Sequence, residues 1–351
     1  MAFTRKLEFG NYTLKFGENK VLLDLFNEIV MPSFFEMKYV RHLKGKGDYF
    51  FLDTKIIVLD ENPEAPVLGI SGRIVKNTKL KRDQIFRTDG GIIEDKSELE
   101  TAPSSTFLLI LNNHRLILSK EVPGAPTIQN FQSTSQYCLN ARHKQYISEQ
   151  FESAKKAKEK NSDLARVTKK SLKENLPSPI LRITPLSDKE SLQAFVKRLH
   201  HIDRVTIKLL PTNREEIDND DFWSDLGRRR EEMNSSSAKV EFSNKKDGLD
   251  NEIVFNQANS ASSLGNSEIT FKGYDKQGDT ISGSNDDFSL SVELDEELPK
   301  DSERAGNLKY ATFSHLVKTN VIAIPQLLDD VTTKIKAIIF NNKINSIFKR
   351  F

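Results

Sequence analysis

The chain has 351 residues, 37% hydrophobic and 29% charged, with 52 basic and 50 acidic side chains and a formal charge of +2. That length suits two ordinary domains, and the near-neutral balance leaves affinity for nucleic acid or membrane to local clustering alone. The single cysteine, Cys138, excludes an intrachain disulfide and a cysteine-built zinc cage, and fits a reducing compartment.

Taken in chain order, the first residues alternate polar and apolar, unlike a signal peptide or anchor. No apolar run approaches the roughly 18 residues of a membrane span, so a cytoplasmic protein is expected. "LEFGNYTLKF" (7–16) reads as a hairpin turning at Gly10-Asn11. "NKVLLDLFNEIV" (19–30) has helical spacing, with Val21, Leu22, Leu25, Phe26 and Ile29 on one side. Strands follow at 49–60 and 67–75, separated by the turn-forming "ENPEAP", and again in "TFLLIL" and "RLILSK". Their nearly continuous apolar runs predict strands covered on both faces. Residues 127–151 return to helical spacing, with Ile128, Phe131 and Tyr137-Cys138 as the buried stripe. Residues 152–178 are charged and end near Pro177, predicting an exposed helix and linker.

A strand (179–186), a helix capped by Ser187 with Glu190 three residues on, and a strand (203–211) then form a βα-β unit, whether parallel or split across a sheet. Further on come a helix at 218–233, a strand at 238–244, a loop with a weak helix at 244–266 and a hairpin at 267–282 turning at Lys276-Gln277-Gly278. A strand at 288–295 and helices at about 299–319 and 326–349 finish the chain. The fold class is α+β: two domains, each a mostly antiparallel or mixed sheet with packed helices. The N-terminal β-meander domain occupies 1–151, the charged linker 152–178, and a C-terminal α+β domain 179–351.

Enzymatic motifs are thin. Asn112-Asn113-His114-Arg115 reads as a hairpin turn, because Asn tolerates a positive φ and no local nucleophile or carboxylate accompanies His114. His200-His201 point about 100° apart on a helix, which suits a helix terminus better than a shared metal. Asp218, Asp220, Asp221 and Asp225 could hold a divalent cation in a nuclease, but acidic residues at a helix start are ordinary electrostatics. No P-loop, dinucleotide fingerprint, Gly-x-Ser-x-Gly or His-Glu-x-x-His is present. No catalytic residue, metal ligand or cofactor is assigned.

Basic clusters carry the functional reading. "GRIVKNTKLKRDQIFR" holds Arg73, Lys76, Lys79, Lys81, Arg82 and Arg87, with Asp83 the only opposing charge. Leaving a strand and entering a loop, these cations could reach a phosphate backbone together, and each phosphate neutralised would release counterions. Lys155, Lys156, Lys158, Lys160, Lys169, Lys170 and Lys173 add a weaker patch, balanced by Glu149, Glu152, Glu159 and Asp163. Arg228, Arg229 and Arg230 adjoin Glu231 and Glu232. The last helix carries an apolar stripe of Leu327, Leu328, Val331, Ile335, Ile338 and Ile339, bordered by Lys334, Lys336, Lys343, Lys349 and Arg350. Core packing or a dimer seam explains that stripe better than a membrane surface.

Three segments in order, "PSSTFLLILNNHRLILSKEVPGAPTIQNF", "LRITPLSDKESLQAFVKRLHHIDRVTIKLL" and "FKGYDKQGDTIS", resemble the RexA family of cytoplasmic sensor proteins from the lambda phage exclusion system. From the first to the last they reach across about half of the chain, which is longer than that family's pattern by the charged linker and extra loops. The resemblance implies a two-domain, homodimeric, DNA-binding protein of anti-phage defence, with a possible partner protein from the same operon. The expected function is therefore a non-enzymatic nucleic-acid-binding sensor or effector that grips DNA largely independently of sequence. A metal-dependent nuclease and a protein-interaction or dimerisation module are the alternatives.

Overall fold

The computed structural model describes residues 3–18, 20–35, 37–210, 216–217, 221–235 and 237–348. Asp218, Asp220, Lys349 and Arg350, and the side chains of Asp221 and Lys343, lie outside that description.

β1 (Lys6–Phe16) is one continuous strand, not a hairpin. A Cβ on Gly10 would stand 2.9 Å from Ile183 Cγ2, and the buried Asn11 amide donates to the Gly265 carbonyl at 3.2 Å. Gly10-Asn11 thus serves close packing rather than chain reversal. The helix expected over 19–30 breaks into β2 (Lys20–Val21), a 3-10 turn (Leu23–Leu25), a π-helical turn (Phe26–Val30) and α1 (Met31–Phe34). Its five apolar residues are all buried, so their spacing reported burial correctly and regularity incorrectly.

An antiparallel meander follows: β3 (Arg41–Leu43), β4 (Gly47–Asp60), β5 (Val67–Arg87), β6 (Gly91–Thr101), β7 (Ser104–Ile110) and β8 (Arg115–Lys120). α2 (Ile128–Lys160) opens on a capping box in which Thr127 and Asn130 satisfy each other's backbone N–H groups. α3 (Lys169–Asn175) precedes β9 (Pro179–Pro185) and α4 (Lys189–Arg198). The cap of α4 is Asp188, whose carboxylate accepts from the Ser191 N–H at 2.8 Å, rather than Ser187. β10 (His201–Leu209), β11 (Glu216–Ile217), α5 (Asp221–Glu232), β12 (Ala238–Ser243), α6 (Asn251–Ser262), β13 (Ser267–Tyr274) and β14 (Thr280–Ser284) come next. β15 (Ser291–Glu293), α7 (Ser302–Lys318), β16 (Gln326–Leu327) and α8 (Asp329–Phe348) complete the order.

The large sheet runs β1-β8-β7-β5-β4-β3, with β9 and β15 sharing the other edge of β1; the second runs β12-β10-β13-β14. Every pairing among the described residues is antiparallel, giving a mixed α and β fold of antiparallel sheets with packed helices.

Side chains alternate across the large sheet. Phe107, Leu109, Leu116 and Leu118 face one core, and Leu108, Ile110 and Ile117 face another. In the first core, four phenylalanines interlock, with Phe34 and Phe51 centroids 4.8 Å apart and Phe107 and Phe131 4.9 Å apart. Phe313 of α7 closes the opposite face. β7 and β8 are buried on both faces, as their uninterrupted apolar runs predicted, whereas β4 is exposed at Leu52 and Val58.

The expected division at 178/179 does not coincide with the division between cores. β9 pairs with β1 along Gly10 to Phe16, while β10 lies in the second sheet, so the βα-β unit is split between sheets. The second core gathers residues from Leu192 to Phe288, including Phe195, Trp223 and Phe271. Beyond it the chain returns: Val331, Ile335 and Ile338 of α8 enter the first core. The two final helices therefore do not belong with the second sheet. A charged, Pro-containing stretch marks an exposed connection, but it carries no information about which free strand edge the following strand will join.

Candidate nucleic-acid interface

The segment 73–87 was expected to leave its strand as a loop. Instead β5 continues without interruption, and from Thr78 onward its only strand partner among the described residues is β6. Residues 78–101 form a two-stranded ribbon turning at 88–90, standing off the large sheet by roughly 30 Å at the usual rise per residue. The ribbon has a built-in irregularity between Arg82 and Gln84, where β6 carries one extra residue.

This geometry divides the proposed cationic cluster. Successive β5 side chains point to opposite faces, so Arg73, Lys79, Lys81 and Arg87 take one face and Lys76 and Arg82 the other. Four of the six are also engaged. The largely buried Arg73 guanidinium lies 3.2 Å from Glu121 and 3.0 Å from Asp53, and donates to the Lys300 carbonyl at 2.6 Å. Lys79 and Lys81 share the Glu98 carboxylate at 3.3 and 3.1 Å, and Arg82 pairs with Asp95. Hydrogen bonds from Lys81 and then Lys79 hold the Glu98 carboxyl below the usual range. Among the described residues Lys76 and Arg87 have no ion pair. The ribbon as a whole, 78–101, carries five cations against six carboxylates. β6 supplies the opposing charges that inspection of 73–87 alone did not count.

The linker behaves differently. The first half of α2 is buried through Ile147, and its last turns leave the core and run into solvent toward α3. Between 152 and 174 stand eight cations and four carboxylates. Glu149, expected to balance them, turns instead to Arg142 at 2.9 Å, which keeps its carboxyl low. Among the described residues the one ion pair in this segment is Lys170 to Glu174, at 4.0 Å. Phe151, Lys155, Lys158, Arg166 and Lys169 line a cleft of about 680 Å³ between the end of α2 and the start of α3, with Glu159 its one acidic wall. The Lys169 ammonium sits 5.4 Å from the centre of the Phe151 ring. Arg166 belongs to this wall and was not singled out from the sequence, because it stands alone between the two lysine runs.

The remaining expectations resolve structurally. His114 closes the β7–β8 turn at φ 54°, and its carbonyl accepts from the Tyr12 N–H at 2.8 Å. His201 opens β10 rather than ending a helix, with its Nε2 3.2 Å from Asp203. Asp225 pairs with Arg228 and Arg229, while Arg230 is buried, donating to the Leu210 carbonyl and lying 3.1 Å from Glu231. Among the described residues no three His, Cys, Asp or Glu side chains converge as a metal set, and no helix is long and apolar enough to cross a membrane.

A family model described as domain of unknown function DUF4747 matches residues 18–309. The chain belongs to that family. The DUF4747 match takes in the ribbon, the α2–α3 segment and the second core as one unit, so it runs straight across the sequence boundary near 178. No curated protein matches the chain.

Proposed function

We propose that this DUF4747 protein is a non-enzymatic, nucleic-acid-binding sensor or effector that grips the phosphate backbone through the α2–α3 segment rather than through the ribbon. The observation that carries the reading is the set of exposed cations Lys155, Lys158, Arg166 and Lys169, outside ion pairing among the described residues, around a cleft that Phe151 also lines, with Lys170 beside them paired to Glu174. Unpaired surface cations lose little on meeting a phosphate, because no internal ion pair has to break first. Those of the ribbon would have to surrender Glu98 and Asp95. An aromatic ring beside lysines also suits a stacked base of a single strand. A role in anti-phage defence, a homodimeric state, a two-domain division and a partner from the same operon rest on the resemblance to the RexA family.

The test is fluorescence anisotropy with labelled single- and double-stranded DNA on the full chain. Lys155→Glu/Lys158→Glu/Lys169→Glu is expected to weaken binding by at least tenfold, because each reversed cation removes a phosphate contact and adds repulsion. Unchanged affinity in that variant removes the α2–α3 segment from the proposal. The nuclease alternative is less well supported, since Asp225 is held ionised by Arg229 and Arg228 and so already committed.

A further inference from the structure

The ribbon has one apolar face. Its register places Leu80 opposite Leu99, Arg82 opposite Ser97, Gln84 opposite Glu94, and Phe86 opposite Ile92. Paired residues of an antiparallel ladder share a face, so all eight lie on one side. Leu80, Leu99, Phe86 and Ile92 are 58%, 65%, 72% and 70% exposed, and nothing else in the described chain covers them. A lone two-stranded ribbon with a bare apolar face is marginal in water, and an exposed patch of this kind marks a contact surface.

The order along that face identifies the occupant. From base to tip it runs apolar pair, polar pair, polar pair, apolar pair, with the irregularity at the centre. It reads the same from either end. A second ribbon laid face to face in the reverse direction, about a two-fold axis across the strands at Asp83, sets Leu80 and Leu99 against the partner copy's tip. It also brings Arg82 diagonally toward the position of Glu94, and because these keep their own-chain partners Asp95 and Lys96, no uncompensated charge is buried between the apolar pairs. We infer that residues 78–101 are a dimerisation arm, and that its partner is the same arm of a second copy of this chain. The four apolar side chains offer on the order of 400–500 Å² per copy, which with the central polar residues reaches the lower range of specific interfaces. The contact is isologous, so it closes at two and does not propagate.

The inference is independent of nucleic-acid binding and has its own test. Sedimentation velocity of the full chain up to about 100 μM should show a dimer, and Phe86→Asp/Ile92→Asp should weaken self-association at least ~100-fold. Neither residue enters a core, so the circular dichroism spectrum should be unchanged. Cys138 is buried, which leaves introduced cysteines as the reactive thiols. Leu80→Cys/Phe86→Cys should then give an interchain product with a short bifunctional maleimide, and each single variant far less. A wild-type chain that stays monomeric, a dimer that survives Phe86→Asp/Ile92→Asp, or single-cysteine variants that cross-link as well as the double one would each overturn it.

Discussion

Lys309 is a buried cation, and its burial bears on stability. Its ammonium is fully enclosed beneath α7, with one donated hydrogen bond, to Thr106 Oγ1 at 2.8 Å. Burial pushes its pKa down to about 7, with Glu121 pulling it back up and Arg73 pushing the same way as burial. In the unfolded chain it keeps its proton to about pH 10.4. Between pH 7 and that value the unfolded state binds more protons than the folded one, so stability rises with pH through the window, and the full cost is felt below pH 7. Urea denaturation at pH 7 and pH 9.5 should show the wild type gaining stability. Lys309→Met should be more stable by about 2 kcal/mol at pH 7 and lose most of that pH dependence. Parallel behaviour of the two proteins would contradict it. Arg73 acts in the opposite sense. Its guanidinium ties β5 to Glu121, Asp53 and the Lys300 carbonyl just ahead of α7, so Arg73→Ala should cost about 1–3 kcal/mol in denaturation while leaving DNA affinity unchanged.

At the scale of elements, α7 lies close enough to the sheet that a Cβ on Gly306 would meet Ile57 Cδ1 at 2.5 Å and Ser71 Oγ at 2.9 Å. Gly306→Val should lift the helix and cost about 1–3 kcal/mol, lowering the melting temperature; a variant as stable as wild type would show that the helix sits more loosely. Such close approaches are also where sequence patterning stopped being informative. The apolar runs of β7 and β8 were legible because period and burial agree in them, and so were Ile128, Phe131 and Cys138 in the stripe of α2, whereas Tyr137 of that stripe is exposed. Gly10-Asn11 was not, since a glycine needed for contact with Ile183 looks like a glycine needed for a turn. The ribbon was hidden for a different reason. In "GIIEDKSELET" the apolar residues reach no core, and a bulge shifts their period partway along β6. Both features erase the alternation by which a half-buried strand is recognised.

Across the whole molecule, charge has to be judged after pairing. A run of cations in the primary structure says nothing of the carboxylates that another strand will bring, and within the ribbon the four carboxylates of β6, with Asp83 and Asp89, outnumber the five cations. The linker lysines looked balanced in sequence and are mostly not, because Glu149 faces Arg142. Long-range topology was equally illegible: β9, β15, α7 and α8 return to the large sheet through edges and faces that no local pattern announces. The resulting molecule presents a cationic segment with Lys170–Glu174 as its one ion pair among the described residues, and a charge-compensated ribbon, as separate surfaces. The dependence of DNA affinity on salt distinguishes them most directly. Plotting log Kd against log salt for the wild type, for Lys79→Glu/Lys81→Glu and for Lys155→Glu/Lys158→Glu/Lys169→Glu counts the phosphates each surface neutralises. The ribbon variant should keep the wild-type slope and the α2–α3 variant should lose about two to three units of it, whereas a slope lost with the ribbon and kept with the linker would contradict the account.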